Sequence, residues 1–237
     1  MKKISVLFTA CAFLLSSSCN SGQKTEQSSP DSATAEVPTV TAPAQVNPKP
    51  VVLIWHKVSD FNKWLPGYES HDSARLAAGL HNYVVGRDLN DTNMVFVALR
   101  MDDLEKARSF ASSPELGTTM KKLGVTGPPA ISYVDVQLND TTANTATRLI
   151  MNHKVKDYDA FKKVFDSNRQ IRIDAGMIDR AVGYEFGDKN NVTMVFAITD
   201  PAKAKAFTSS EDLKNKMSEA GVIGTPTMHF YTVVKSW

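Results

Sequence analysis

Two segments of the chain are dominated by apolar and β-branched residues, and each is followed by a helical pattern. The segments VVLIWHKV at 51–58 and RLIMNHKV at 148–155 are typical of buried β-strands. After the second segment, aromatic and other side chains recur at helical spacing over 158–175. Asp60 and Asp157 stand at the N-cap position before each helical stretch. Both segments therefore predict a strand followed by a helix.

The remaining pattern predicts two more strands, a second helix and a final strand. Strands are predicted near 80–89 and 94–101, and the residues NDTN between them favour a hairpin turn. A helix is predicted over 103–123, with a break at SSPEL, where Ser113 can cap a new helical start. A last strand, AISYVDVQL, follows GVTGPP. The predicted order of elements is βαββαβ.

This order is written twice. HKVSDF at 56–61 returns as HKVKDY at 153–158, and the same shift aligns the following residues without a gap. About 25 of the 81 residues from His56 to Val136 are identical to their counterparts, which indicates a duplicated module and not a short-period solenoid. We therefore expect two structurally equivalent repeats.

The run HKVxD[FY], followed by AG, KA..F.SS..L and GV.G.P, resembles the dimeric α/β barrel superfamily. The resemblance covers 51–138 and 147–234. It implies an α+β fold in which two tandem βαββαβ ferredoxin-like units pair their sheets within one chain, as a pseudo-dimer around a small cavity. The predicted division of the chain is a signal peptide, a disordered tether, a first repeat, a linker and a second repeat, at 1–18, 19–50, 51–138, 139–146 and 147–237.

The N-terminus has the three-part pattern of an export signal: two lysines, a short apolar run, and small residues ending at Cys19. LLSSSC resembles the lipobox of bacterial lipoproteins, although Ser16 stands where that pattern usually has an aliphatic residue. Cys11 would leave with the signal, so Cys19 would be the one cysteine of the mature chain. The lipoprotein interpretation makes Cys19 the lipidated residue; the alternative is an ordinary cleavage site near an unmodified cysteine.

The segment that follows, to Pro50, is rich in Ser, Thr, Gln, Ala and Pro and predicts a disordered spacer. We expect a lipid to tether the folded body to a membrane of a bacterial envelope. The expected membrane is the outer one, with the folded body facing either the periplasm or the cell surface. Without Lys2 and Lys3 the basic and acidic residues balance, so nothing in the charge suggests nucleic acid as a partner.

His56 and His153 are the first candidate ligand-binding residues, because they recur late on the first strand of each repeat. If their strand face lines the cavity, each imidazole could act as a base or orient a substrate carbonyl; otherwise each caps or hydrogen-bonds the adjoining loop. The opposite face carries Trp55 and Asn152, which would be the substrate-facing pair if that face is the interior. His229, on the last strand, is a third cavity candidate.

The helical phase of Arg75 and Arg172 puts both on the buried stripe of their helices, away from the cavity, so we interpret them as structural. The sequence has no metal-ligand motif, phosphate loop or nucleophile elbow, and we expect no cofactor or metal. Two functions stay open. One is a binding protein for a small apolar molecule; the other, implied by the resemblance, is a cofactor-free monooxygenase- or isomerase-like enzyme acting on a small planar substrate.

Overall fold

The computed structural model describes residues 48–237. The predicted signal peptide, Cys19 and most of the predicted tether lie outside these residues.

The first repeat contains four strands and four short helices. Its elements are β1 (Val51–Val58), α1 (Phe61–Ser70), α2 (Asp72–Ala77), β2 (Leu80–Asp88), β3 (Met94–Met101), α3 (Leu104–Ala111), α4 (Pro114–Lys122) and β4 (Val125–Asn139). The second repeat has the same order: β5 (Thr147–Val155), α5 (Tyr158–Ser167), α6 (Arg169–Asp174), β6 (Met177–Glu185), β7 (Asp188–Ile198), α7 (Pro201–Thr208), α8 (Glu211–Glu219) and β8 (Val222–Ser236).

The eight strands close into one antiparallel barrel in the order β1-β3-β2-β8-β5-β7-β6-β4. Each repeat supplies a four-stranded sheet, and two inter-repeat seams, β2 with β8 and β4 with β6, join the sheets. The α+β fold predicted from the duplicated pattern is therefore confirmed, as a dimeric α/β barrel built within one chain. A barrel of this kind leaves no open sheet edge.

A glycine at each seam allows the two sheets to approach closely. Gly86 pairs with Val233 in β8, and Gly183 pairs with Val136 in β4. A Cβ on Gly183 would lie 2.5 Å from the carbonyl oxygen of Asp135, and a Cβ on Gly86 would lie 2.5 Å from the Tyr231 ring. The two glycines occupy equivalent positions of the repeat. A side chain at either position would push the sheets apart.

The two faces of the barrel sheet bury different sets of side chains. The outer face packs against the helices in two separate cores, one per repeat, around Trp64 and around Phe161. The inner face forms a third core from both repeats, which includes Val51, Leu53, Phe96, Val134, Ile150 and Tyr231. Because the side chains of a strand alternate between faces, each residue of β1 and β5 is committed either to the helices or to the interior.

The predicted N-caps are confirmed: the Asp60 side chain accepts from the Asn62 and Lys63 amides, and the Asp157 side chain accepts from the Ala160 amide. The predicted break before Pro114 is also confirmed, with Ser113 as the cap.

The helix predicted over 158–175 differs from the structure, which divides it into α5 and α6. The chain leaves helical geometry at Asn168, where φ is −96° and ψ is 17°, and the Asn168 side chain donates to the Val164 carbonyl at 2.8 Å. His71 has nearly the same dihedral angles between α1 and α2. The periodicity of the side chains continues through this break, so the pattern alone did not reveal it.

The strand predicted as AISYVDVQL is also longer than expected, because β4 begins at Val125 and includes TGPP. Its register with β1 shifts between Trp55 and Lys57, where Gly127 has a φ of +81°. A bulge therefore carries the glycine–proline segment within the strand.

Arg75 and Arg172 lie under the helices and not in the interior, as predicted. Arg172 makes a two-pronged ion pair with buried Asp179, at 2.7 Å and 2.6 Å, and also donates to the Phe165 carbonyl at 2.6 Å. Arg75 lies 3.3 Å from Asp72. The two repeats thus keep the arginine but take its carboxylate from different positions.

Candidate functional site

One cavity inside the barrel brings together three of the residues singled out from the sequence. Trp55, Asn152 and His229 line a space of about 260 Å³, with Ser132, Thr193 and Thr227 also in its wall. Trp55 comes from β1 and the other two from β5 and β8, so both repeats build this wall. It combines a large aromatic surface with several groups that can form hydrogen bonds. We call it the tryptophan cavity.

Aromatic contacts fix the Trp55 ring. Its centroid lies 4.9 Å from Phe96 and 4.6 Å from the imidazole of His229, and Tyr231 meets its edge at 6.1 Å. Across the cavity, the Asn152 amide donates to the Thr193 hydroxyl at 2.9 Å. The amide oxygen of Asn152 has no hydrogen bond of its own within 48–237 and can still accept one from a ligand.

His229 is oriented by a carboxylate from the other repeat. Its Nδ1 lies 3.1 Å from Oδ2 of Asp88, at the end of β2. Asp88 is buried, and its other oxygen accepts hydrogen bonds from the backbone amides of Asn90 at 2.7 Å and Asp91 at 3.1 Å. In the tautomer with hydrogen on Nδ1, the imidazole donates a hydrogen bond to the Asp88 carboxylate, and Nε2 then carries the lone pair. The pair is therefore arranged so that the imidazole can accept a proton, and it exists only because β2 and β8 meet at a seam.

His56 and His153 lie on the other face of the sheet, outside the barrel interior. His56 packs against Trp64 of α1 with ring centroids 5.3 Å apart, and His153 packs edge-on against Phe161 of α5 at the same distance. The strand face that carries His56 and His153 therefore does not line the barrel cavity. Neither do they bond the adjoining loops, because none of their ring nitrogens has a hydrogen-bond partner in 48–237.

Burial changes the acid–base behaviour of both histidines in the same way. His56 is 7% exposed and His153 is 5% exposed, and desolvation lowers the pKa of each from 6.5 to about 4. Both imidazoles are therefore neutral at pH 7, within small gaps of about 80 Å³ and 60 Å³ between helices and sheet. These gaps are far smaller than the tryptophan cavity. A ligand-binding role for the two histidines stays a prediction, and neither gap has a volume comparable to that cavity.

Sequence reasoning missed Asp88, Thr193 and Thr227. A usable signal was present, because Thr193 and Thr227 replace Phe96 and Ala130 of the first repeat at equivalent interior positions. A polar residue in one copy of an apolar strand position marks a place where the two repeats have diverged. Asp88 has an acidic counterpart, Glu185, and gave no such contrast.

No group of three or more potential metal ligands lies together in the part of the chain that the structure describes. Within the same residues, no helix has both the length and the apolar character that a membrane crossing requires.

Comparison with solved structures identifies proteins of the same fold. A proposed monooxygenase of Lactobacillus acidophilus NCFM is 12% identical, with a TM-score of 0.50 over 78% of this chain and 94% of its own. A proposed monooxygenase of Fusobacterium nucleatum subsp. nucleatum is 12% identical, with a TM-score of 0.52 over 80% and 94%. An anthrone oxidase-like protein is 13% identical, with a TM-score of 0.53 over 82% and 95%. At these identities the likeness shows the fold alone.

No family profile matches the chain, and no curated protein sequence matches it.

Proposed function

We propose that the protein is a lipid-anchored protein of a bacterial envelope whose barrel binds a small, flat and mostly apolar molecule in the tryptophan cavity. The observation that carries this proposal is the meeting of Trp55, Asn152 and His229 around one space of about 260 Å³. An indole offers a large rigid face for stacking, and a few polar groups in an otherwise apolar wall fix the orientation of a ligand.

The binding test uses 1-naphthol, which is flat and carries one hydroxyl group, with the purified full chain in isothermal titration calorimetry. We expect Trp55→Ala to weaken 1-naphthol binding by about tenfold or more, because the stacking face is lost. Trp237→Ala is the matched control, since Trp237 is 45% exposed and does not line the tryptophan cavity. Equal binding by wild type, the Trp55 variant and the control would remove the tryptophan cavity as the site.

A second candidate function is proton abstraction from a planar substrate, as in a cofactor-free monooxygenase or an isomerase. Two of the proteins with the same fold are named as proposed monooxygenases and one as anthrone oxidase-like. The fold does not carry this candidate, since one fold hosts many reactions. What favours it is the Asp88–His229 pair at 3.1 Å, which resembles the base-and-orienter arrangement of general base catalysis.

Anthrone separates the two candidates. Its CH₂ group yields a proton readily, and the resulting anion reacts with dioxygen to give anthraquinone and hydroxide, which takes back the abstracted proton as water. If the protein is an enzyme of this kind, dioxygen uptake with anthrone requires His229 and falls by about 10² to 10⁴-fold in His229→Gln. If it only binds, wild type and His229→Gln consume dioxygen at the same background rate while 1-naphthol still binds to wild type.

The lipid anchor is tested separately at Cys19, which lies outside the described residues. We expect Cys19→Ser to move the protein from the membrane fraction to the soluble fraction, and to abolish incorporation of labelled palmitate, because the acceptor thiol is absent. A matched Ser18→Ala variant should stay in the membrane fraction. A Cys19→Ser protein that still sediments with membranes, with palmitate incorporation equal to wild type, contradicts the lipoprotein interpretation.

A further inference from the structure

The opposite end of the barrel interior holds a second cavity with a different electrostatic character. It has a volume of about 240 Å³ and shares only Leu53 and Thr193 with the wall of the tryptophan cavity. Four basic residues line it, and no aspartate or glutamate does. The basic residues are Lys49, Arg100, Arg148 and Arg180. The exposed side chain of Lys49 places solvent at this end.

Arg148 and Arg180 are buried there without a carboxylate. Arg148 is 3% exposed and Arg180 is 7% exposed, and neither has an ion pair within 48–237. Their hydrogen-bond partners are neutral. Arg148 donates to the Asn144 amide oxygen at 3.4 Å and also interacts with the Tyr231 hydroxyl. Arg180 donates to the carbonyls of Asp140 and Ala143 at 3.1 Å and 3.0 Å and also interacts with the Tyr83 hydroxyl. The Nε group of Arg148 is buried with no partner in the same residues.

Two buried guanidinium groups of like charge are costly in a folded protein unless an anion compensates them. Burial, together with the charge of Arg148, lowers the pKa of Arg180. Asp179, next to Arg180 in sequence, is paired with Arg172. Asp140, the nearest acidic residue to Arg148 in sequence, is buried, and its carboxylate accepts from the amide and hydroxyl of Thr142. Residues 48–237 therefore supply no carboxylate that forms an ion pair with Arg148 or Arg180.

The first repeat shows that the barrel does not need arginine at these positions. Val51 is the counterpart of Arg148, and Tyr83 is the counterpart of Arg180. Arg180 also holds the segment that connects the repeats, but it uses only Nη1 for this purpose. Arg148 braces the same segment through its Nη2 bond to Asn144. Bracing does not use the Nε group of Arg148, which is buried without a partner within 48–237.

We propose that this end of the barrel is a binding site for a small monocarboxylic acid, whose carboxylate is held by Arg148 and Arg180 and whose apolar body lies along the inner core. A guanidinium group presents two parallel donors that match the two oxygens of a carboxylate. Most of the remaining wall is apolar, although Asn139 and Thr193 also line it; the apolar residues include Val51, Leu53, Phe96, Ala98, Val134 and Val195. A fully hydrated inorganic anion gains nothing from that wall, whereas an apolar acid buries its body against it. The proposal is independent of the tryptophan cavity and of any reaction there.

The test compares three probes by isothermal titration calorimetry with the full chain: 1-naphthoate, its neutral analogue 1-naphthylmethanol, and inorganic phosphate. We expect 1-naphthoate to bind at least about tenfold more tightly than 1-naphthylmethanol, and phosphate to bind more weakly than 1-naphthoate. Arg148→Val, which copies the first repeat, should remove this preference for the carboxylate. Arg108→Gln is the matched control, because Arg108 is a 45% exposed arginine on α3, and it should leave the preference unchanged.

Folding of the variant is checked in the same samples by its melting temperature. Arg148→Val should melt at or above the temperature of wild type, because a buried charge is replaced by the side chain that the first repeat uses. Arg180→Lys, which keeps the charge but not the planar fork, gives a second measure and should weaken 1-naphthoate binding while leaving 1-naphthylmethanol unaffected.

Equal affinities of wild type for 1-naphthoate and 1-naphthylmethanol would overturn the proposal. So would a carboxylate preference that survives in both Arg148→Val and Arg180→Lys, or phosphate binding as tight as that of 1-naphthoate. Trp55→Ala distinguishes failure of the carboxylate site from failure of the tryptophan cavity. It should weaken 1-naphthol binding and leave the preference for 1-naphthoate over 1-naphthylmethanol intact.

Discussion

Asp179→Asn lowers the free energy of unfolding by about 3 to 5 kcal/mol, because it leaves the buried Arg172 guanidinium without its carboxylate. The side chains of Arg172 and Asp179 are 8% and 4% exposed, and Arg169 adds a second, longer approach to Asp179 at 3.9 Å. Solvent cannot replace the lost charge at such a site. Urea denaturation of wild type and variant at pH 7 measures the difference.

Asp166→Asn is the matched control for this effect. Asp166 pairs with Lys162 at 2.6 Å on the surface of α5, where its side chain is 55% exposed. Exposed pairs at this spacing contribute about 0.3 to 0.5 kcal/mol. The double variant Arg172→Met/Asp179→Leu should recover most of the lost stability, because both charges leave together. A loss no larger for Asp179→Asn than for Asp166→Asn would show that the ion pair does not stabilise the fold.

Acid weakens the fold through His56 and His153. The pKa of each histidine falls from 6.5 to about 4 on folding. Below pH 6.5 the two histidines therefore bind protons in the unfolded chain but stay neutral in the folded chain. Their contribution to the free energy of unfolding is fully present above pH 6.5 and is lost as the pH falls toward 4. The expected loss across this window is roughly 3 kcal/mol for each histidine.

The measurement is the free energy of unfolding of wild type and His56→Met/His153→Met between pH 7.5 and pH 4. The difference between the two curves isolates the histidines from carboxylates that titrate in both proteins. We expect the variant to lose several kcal/mol less than wild type over this range. Parallel curves for wild type and the double variant would contradict the neutral, buried state.

The duplication determined how much of the fold could be predicted. The order of elements in each repeat and the N-caps Asp60 and Asp157 follow from local patterns that the sequence writes twice. The pairing of the two sheets was implied by the resemblance to the dimeric α/β barrel superfamily. The break at Asn168 could not be predicted, because the apolar stripe runs on through it and the change is in the backbone. The bulge at Gly127 was missed for a similar reason, since its strand pairing is a tertiary property.

The candidate site was predicted in part, and the two kinds of candidate differ for a physical reason. His56 and His153 were chosen because they recur, but recurrence selects residues that both repeats need for packing, and both lie against helices. Trp55 and Asn152 differ between the repeats, and both lie in the cavity wall. Contrasts between the repeats therefore coincide with the cavity wall, whereas the recurring histidines lie beneath the helices.

The buried arginines follow the same rule. Arg148 and Arg180 stand opposite Val51 and Tyr83 in the first repeat, which is a large change in polarity at strand positions. Their burial could not be predicted from the sequence, because the inner and outer faces of β5 and β6 could not be assigned from local pattern. Only the closed barrel places both side chains at one end.

The central claim is that the barrel interior, and not the space beneath the helices, is the place where this chain holds a small molecule. A crystal structure of the full chain grown with 1-naphthol tests it most directly. We predict ordered naphthol stacked on Trp55, between Asn152 and His229. Naphthol found beneath α1 or α5 beside His56 or His153, with the barrel interior closed to it, would contradict the account.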